Sequence, residues 1–202
     1  MHTRINFVFL IASLILIAGI YGCGTPASNF FILTPDNDYE PRSTGTESHI
    51  GIGIGNIELP DYLRKPQIVT YSKNNEITFD EYNRWAEPLD ENITRILTEN
   101  LAAMIPTNNI YLFMWPKEDP NIFQISISID RFGLLPDSNV VLNTRWSITG
   151  SNKKSLLLTE KSEYKEKAVS LDYGHISSIM SNLIGKLSED IASEIKRQAE
   201  KI

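Results

Sequence analysis

Side chains able to do acid–base or covalent chemistry are few in this chain, and their spacing does not bring them together. Of three histidines, His2 lies near the amino terminus, His49 opens an apolar run, and His175 falls in the first turn of a helical pattern. Hydrolysis needs a nucleophile, a base and an oxyanion hole within mutual reach, and the sequence contains no Gly-x-Ser-x-Gly elbow. A metal centre would need a second cysteine, a His-x-x-x-His pair or an Asp-x-Asp-x-Asp-Gly loop, and none occurs. The paired carboxylates Asp36 with Asp38, and Glu118 with Asp119, sit in polar, proline-containing stretches where solvated charge is the ordinary explanation. Gly51, Gly53 and Gly55 alternate with isoleucines and lead into neither a helix nor a Lys-Ser or Lys-Thr pair. A phosphate loop requires both, so this stretch reads as a strand with one nearly bare face. No enzyme, cofactor or metal is expected.

Composition narrows the class further. The 202 residues are 42% hydrophobic and 22% charged, with net charge −6, which suits one globular domain. Lysine and arginine form no long block that could track a phosphate backbone, so nucleic acid is not an expected partner.

The single cysteine rules out an intramolecular disulfide or a thiol cluster, and its position is informative. A polar end with Arg4 precedes an apolar run over residues 7–20 that closes on Gly22-Cys23. The run is shorter than the ~20 residues of a spanning helix, as the core of a signal peptide is. The arrangement resembles a bacterial lipoprotein signal, in which the cysteine sulfur is acylated and becomes the new amino terminus. The resemblance implies a signal peptide over residues 1–22, lipidation at Cys23, a tether over 23–29 and one domain over 30–202. Gly24 is not the aspartate that holds such proteins at the inner membrane, which implies an outer-membrane anchor facing the periplasm. At about 3.5 Å per residue the tether spans roughly 20 Å at most.

Several elements follow from periodicity. A short strand is expected over residues 30–33, a surface loop over 34–48, and a strand over 49–57 ended by Pro60. Residues 67–72 and 76–80 read as a hairpin across Lys73-Asn74-Asn75, since asparagine tolerates left-handed turn conformations. Leu89, Ile93, Ile96, Leu97, Leu101 and Met104 recur at helical steps behind Pro88, predicting a helix over 88–104. A short strand over 110–114 is followed by Trp115-Pro116. Alternation then predicts strands over 123–130, 140–149 and 155–163 as an antiparallel meander. Ile176, Ile179, Met180, Leu183, Ile184, Leu187, Ile191 and Ile195 mark a long helix over 173–201. These elements give an α/β domain: a mixed, largely antiparallel sheet of about six strands with two main helices packed on it. The polar sheet face is open to solvent, a partner or a second copy of the chain.

Three segments carry a closer likeness: Leu59-Pro60-Asp61-Tyr62-Leu63, Lys65-Pro66-Gln67-Ile68-Val69-Thr70, and Arg84-Trp85-Ala86-Glu87-Pro88-Leu89. They resemble the pattern of the auxiliary lipoproteins of ABC-type transport systems, among them the lipoprotein of the paraquat-inducible Mce-type lipid transport system. The resemblance implies a fold similar to the N-terminal domain of TolB. It implies a non-catalytic accessory role in intermembrane lipid transport, docking a periplasm-spanning Mce-type protein and its ABC and permease components to the outer membrane. Tyr62, Leu63, Arg64, Gln67, Arg84 and Trp85 are then the partner-facing or fold-defining residues. The aromatic side chains here, Tyr62, Tyr71, Tyr82 and Trp85, suit either a docking face or the packing of the hairpin onto the following helix. Two other functions fit a small anchored α/β domain: activation of a cell-wall synthase, for which the tether is short, and carriage of a lipid in a cavity of roughly 300 Å³ or more.

Overall fold

The computed structural model describes residues 26–35, 50–112, 122–150 and 156–201. Outside them lie the expected signal peptide and Cys23, the loop with Asp36 and Asp38, His49, the Trp115-Pro116 segment with Glu118 and Asp119, and the turn at Ser151-Asn152.

Among the described residues eight strands form one sheet: β1 (Asn29–Phe31), β2 (Gly51–Glu58), β3 (Gln67–Tyr71), β4 (Ile77–Trp85), β5 (Ile110–Leu112), β6 (Ile122–Leu134), β7 (Asn139–Thr149) and β8 (Leu156–Lys167). β1 and β5 are three residues each, which leaves six longer strands, as periodicity suggests. The expected meander is there: β6, β7 and β8 pair antiparallel in long ladders. The β3–β4 hairpin turns where expected, with Asn74 and Asn75 at φ 64° and 62°. The parallel pairings β1·β4, β2·β5, β2·β6 and β3·β6 join segments distant in sequence. The bare face of β2 admits its own neighbour: a Cβ on Gly51 would stand 2.7 Å from Cγ1 of Ile122, its register partner on β6.

Two helices, α1 (Leu89–Met104) and α2 (Tyr173–Ala199), pack against the sheet and each other. Pro88 stands just before α1, its carbonyl accepting from the Asn92 amide at 3.0 Å. Every apolar residue of both predicted stripes is buried. They meet the alternating inward residues of the meander, Ile125, Ile127 and Ile129 of β6 and Leu142, Trp146 and Ile148 of β7. Burial of each such side chain stabilises by about 1.5–3 kcal/mol, which makes this interface the main source of stability.

Polar side chains on the stripes tie the layers together. Asn100 donates to Ser188 Oγ at 3.2 Å, linking α1 to α2. The chain after β1 threads between the helices: the Leu33 amide donates to Asn92 Oδ1 at 3.1 Å and the Thr34 amide to Ser181 Oγ at 3.1 Å. Leu33 itself is fully buried there. Among the described residues no helix is long and apolar enough to cross a membrane.

Candidate partner-binding interface

Two of the three family-like segments lie along one edge of β6, and the third, Arg84 to Leu89, ends β4 beside β3 and opens α1. β7 pairs with β6 from Gln124 to Leu134 and so fills the other edge. β2 runs parallel along Ile122 to Ser128, and β3, running the same way, rejoins β6 at Leu134. Between them the chain leaves the sheet over residues 59–66, because Pro60 and Pro66 lack the amides a ladder needs. The excursion is a tight turn, with the Leu63 amide donating to Pro60 O at 2.9 Å and the Arg64 amide to Asp61 O at 3.2 Å.

Two phenols mend the gap. Tyr62 donates to the carbonyl of Asp130 at 2.7 Å, and Tyr71 accepts from the Phe132 amide at 3.2 Å. The two hydroxyls stand 3.2 Å apart with the rings edge to face. Since the one hydroxyl hydrogen of Tyr62 goes to Asp130, Tyr71 must be the donor in this pair. The Arg131 guanidinium lies 5.2 Å from the centre of the Tyr71 ring. Burial, with the hydrogen bond to Tyr62 second, pushes the Tyr71 phenol far above its usual range. It stays protonated and holds structure rather than moving protons. Gly133 completes the junction: its φ is +153°, and a Cβ there would fall 2.6 Å from Val69 O.

The six expected residues divide accordingly. Leu63 and Trp85 are only 2% and 5% exposed, and the Trp85 amide donates to Pro66 O at 2.7 Å. Their burial supports the fold-defining role for these two, since neither reaches a partner without opening the core. Arg64 bridges the excursion to α1, with Nε donating to Leu59 O at 3.2 Å and Nη1 3.4 Å from Asp90 Oδ2. Gln67 and Arg84 are register partners across β3 and β4, and Phe30 of β1 is the next residue in that row. Arg84 is fastened by Nε to Glu81 O at 2.9 Å. The fold thus gathers Gln67 and Arg84 on one partly exposed surface, with Tyr62 and Arg64 on the excursion beside it.

His175 stands in the first turn of α2, its amide donating to the N-cap Asp172 and its Nε2 accepting from the Val169 amide at 3.4 Å. Among the described residues no three potential metal ligands converge. A groove of about 950 Å³ between β2 and α1 combines the apolar side chains Ile54, Ile57 and Leu112 with a charged rim of Glu58, Arg64, Asp90, Glu91, Arg95 and Glu99. Sequence reasoning missed the layer ties at Asn92, Asn100, Ser181 and Ser188. Their signal was position: each falls on a helix stripe at core spacing.

Comparison with known proteins bears on the family and on the fold. The model of the ABC-type transport auxiliary lipoprotein component family matches residues 31–192. The intermembrane transport lipoprotein PqiC of Escherichia coli is 21% identical over 192 residues, covering 91% of this chain and 97% of that protein. Among solved structures, an uncharacterized protein superposes with TM-score 0.68 at 18% identity, covering 84% of this chain and 99% of that one. A protein from Xanthomonas campestris does so with TM-score 0.64 at 9% identity, covering 88% and 99%. These likenesses bear on the fold; the match across nearly every described element bears on the family. The chain belongs to the ABC-type transport auxiliary lipoprotein component family.

Proposed function

We propose that the protein is a non-catalytic lipoprotein, anchored by an acylated Cys23 in the outer membrane and facing the periplasm after loss of residues 1–22. It docks an Mce-type periplasm-spanning protein, and through it the ABC and permease components, so that lipid passes between the membranes. The observation that carries this reading is the family match over residues 31–192, whose start lies only a few residues after Gly22-Cys23. The similarity to an intermembrane transport lipoprotein along almost the whole chain supports the same reading. Docking uses the surface formed by Gln67 and Arg84 with Tyr62 and Arg64, supported from beneath by Leu63 and Trp85.

A pull-down from detergent-solubilised envelopes tests it, comparing the wild-type chain with Arg84→Glu. Arg84 is partly exposed, so the variant is expected to fold, as circular dichroism would verify. Recovery of a transport component by the wild type and its loss from the folded variant is the expected result. Recovery of a cell-wall synthase instead, or of no transport component, would overturn the reading.

A further inference from the structure

Six of the eight large apolar side chains exposed among the described residues belong to the chain segments that meet around β1. Phe30 on β1 is 64% exposed, and Val169 and Leu171, just before α2, are 89% and 62% exposed. Ile32, Tyr82 and Phe79 add to the group. One cleft joins the segments: Ser28 to Phe31, Asn83, and Asp172 to Gly174 line it together. The segments are fixed rather than loose. Phe31 packs on Tyr173 with ring centres 6.4 Å apart, Asn29 donates to Asn83 at 3.1 Å, and Asp172 caps α2. Large exposed apolar side chains gathered on neighbouring segments of a folded domain mark a contact with something apolar.

The chain itself indicates the occupant. Cys23 precedes Asn29 by six residues, a reach of about 20 Å when fully extended, so an acyl group on Cys23 holds this cluster against the bilayer. We propose that Phe30, Val169 and Leu171, with Ile32 and Tyr82 beside them, seat the folded body on the membrane, inserting among the headgroups and fixing its orientation. The proposal rests on lipidation of Cys23. Charge contributes little: the chain carries net charge −6, and the acidic neighbours Asp80 and Asp172 are engaged by backbone amides. The contact is therefore apolar and insensitive to salt. Because Arg84 is the register partner of Phe30, a component docking on the Gln67 and Arg84 surface is met right beside the membrane.

Acylation of the only cysteine leaves an introduced thiol uniquely open to labelling. Full-length chain, matured in cells and reconstituted into vesicles of phosphatidylethanolamine with a minor share of phosphatidylglycerol, would carry a bimane label at Leu171→Cys. A second protein would carry it at Leu156→Cys, on an equally exposed residue that β8 places about 35 Å from the Val169 loop. With acyl-chain-brominated lipids in the vesicles, quenching several-fold stronger at 171 than at 156, unchanged at high salt and reduced by Phe30→Asp with Val169→Asp, is the expected result. Equal quenching at both positions, or none at 171, with Cys23 shown by mass spectrometry to be acylated, overturns the seat but leaves the anchor. Quenching blocked at 171 by a second copy, seen as a cross-linked dimer through that residue, also overturns it. A free Cys23 thiol removes both the seat and the anchored lipoprotein reading.

Discussion

The two edges of β6 are built on opposite plans. On one side β7 follows within the same meander, and the pair forms a near-continuous antiparallel ladder with a single irregularity between Ile129 and Arg131. On the other side β2 and β3 cover the beginning and the end of the strand, and the span between them is closed by side chains. The first edge is stabilised by backbone pairing that tolerates many residue types. The second depends on particular residues: prolines that force the chain out, tyrosines that replace the missing amide and carbonyl partners, and a glycine where no Cβ fits. On the second edge the positions that close the gap therefore tolerate fewer side chains than those of the β6–β7 ladder.

The largest break in this comparison should come from the residues beneath the excursion. Trp85→Ala is expected to cost about 3–5 kcal/mol and Leu63→Ala about 2–5 kcal/mol, measured by urea denaturation. Arg145→Ala, at an exposed position on the β7 side, should stay within about 0.5 kcal/mol. Equal losses at all three would remove the distinction between the edges. Next comes Gly133→Ala, where the Cβ meets Val69 O at a φ of +153°; about 1–3 kcal/mol of strain is expected, with hydrogen exchange quickening where β3 rejoins β6.

Smaller effects sharpen the contrast. Tyr71→Phe leaves the amide of fully buried Phe132 without its acceptor, a loss of about 1–3 kcal/mol. Tyr62→Phe, whose acceptor Asp130 is exposed, should cost about 1 kcal/mol. Native-state exchange should speed at the Phe132 amide in the first variant while the amides bonded to β7 keep their protection.

The smallest effect lies at the outer margin of the mended flank. Burial pushes the Asp80 carboxyl up, but hydrogen bonds from the Tyr82 amide, the Tyr173 hydroxyl and Asn83 outweigh it, so its pKa is lowered below 3.8. A depressed carboxylate stabilises above its unfolded pKa, and that contribution is lost as pH falls through the folded value. Burial, then the hydrogen bond to Asp80, raises Tyr173 to about 12, so the opposite loss occurs as pH climbs from 10 towards 12. Asp80→Asn should flatten the acid limb below pH 4 and lower the stability at neutral pH, measured by urea denaturation, by no more than about 0.5 kcal/mol.

Much of the fold was legible in the residues. The hairpin at Asn74-Asn75, both helices and the three-stranded meander follow from local rules of turn chemistry and period, which act over a few positions and leave their mark in order along the chain. Leu63 and Trp85 carried a motif but not its burial, since an aromatic beside arginines reads equally well as surface or as core. Asn92 and Ser188 fall at core spacing on their helices, but their partners, the Leu33 amide and Asn100, lie far away along the chain.

What the sequence determined by itself is therefore local: which segments are strands or helices, which face of each is apolar, where prolines and asparagines turn the chain, and that the lone cysteine stands at the end of an export-like run. Only the tertiary structure decided that β2 and β3 share one edge of β6, that Tyr62 and Tyr71 fill the space between them, and that Phe30 and Tyr173 come to one cleft. Those arrangements bring together residues tens of positions apart, and the free energy that selects them comes from burying common surface. No window of the sequence contains that quantity.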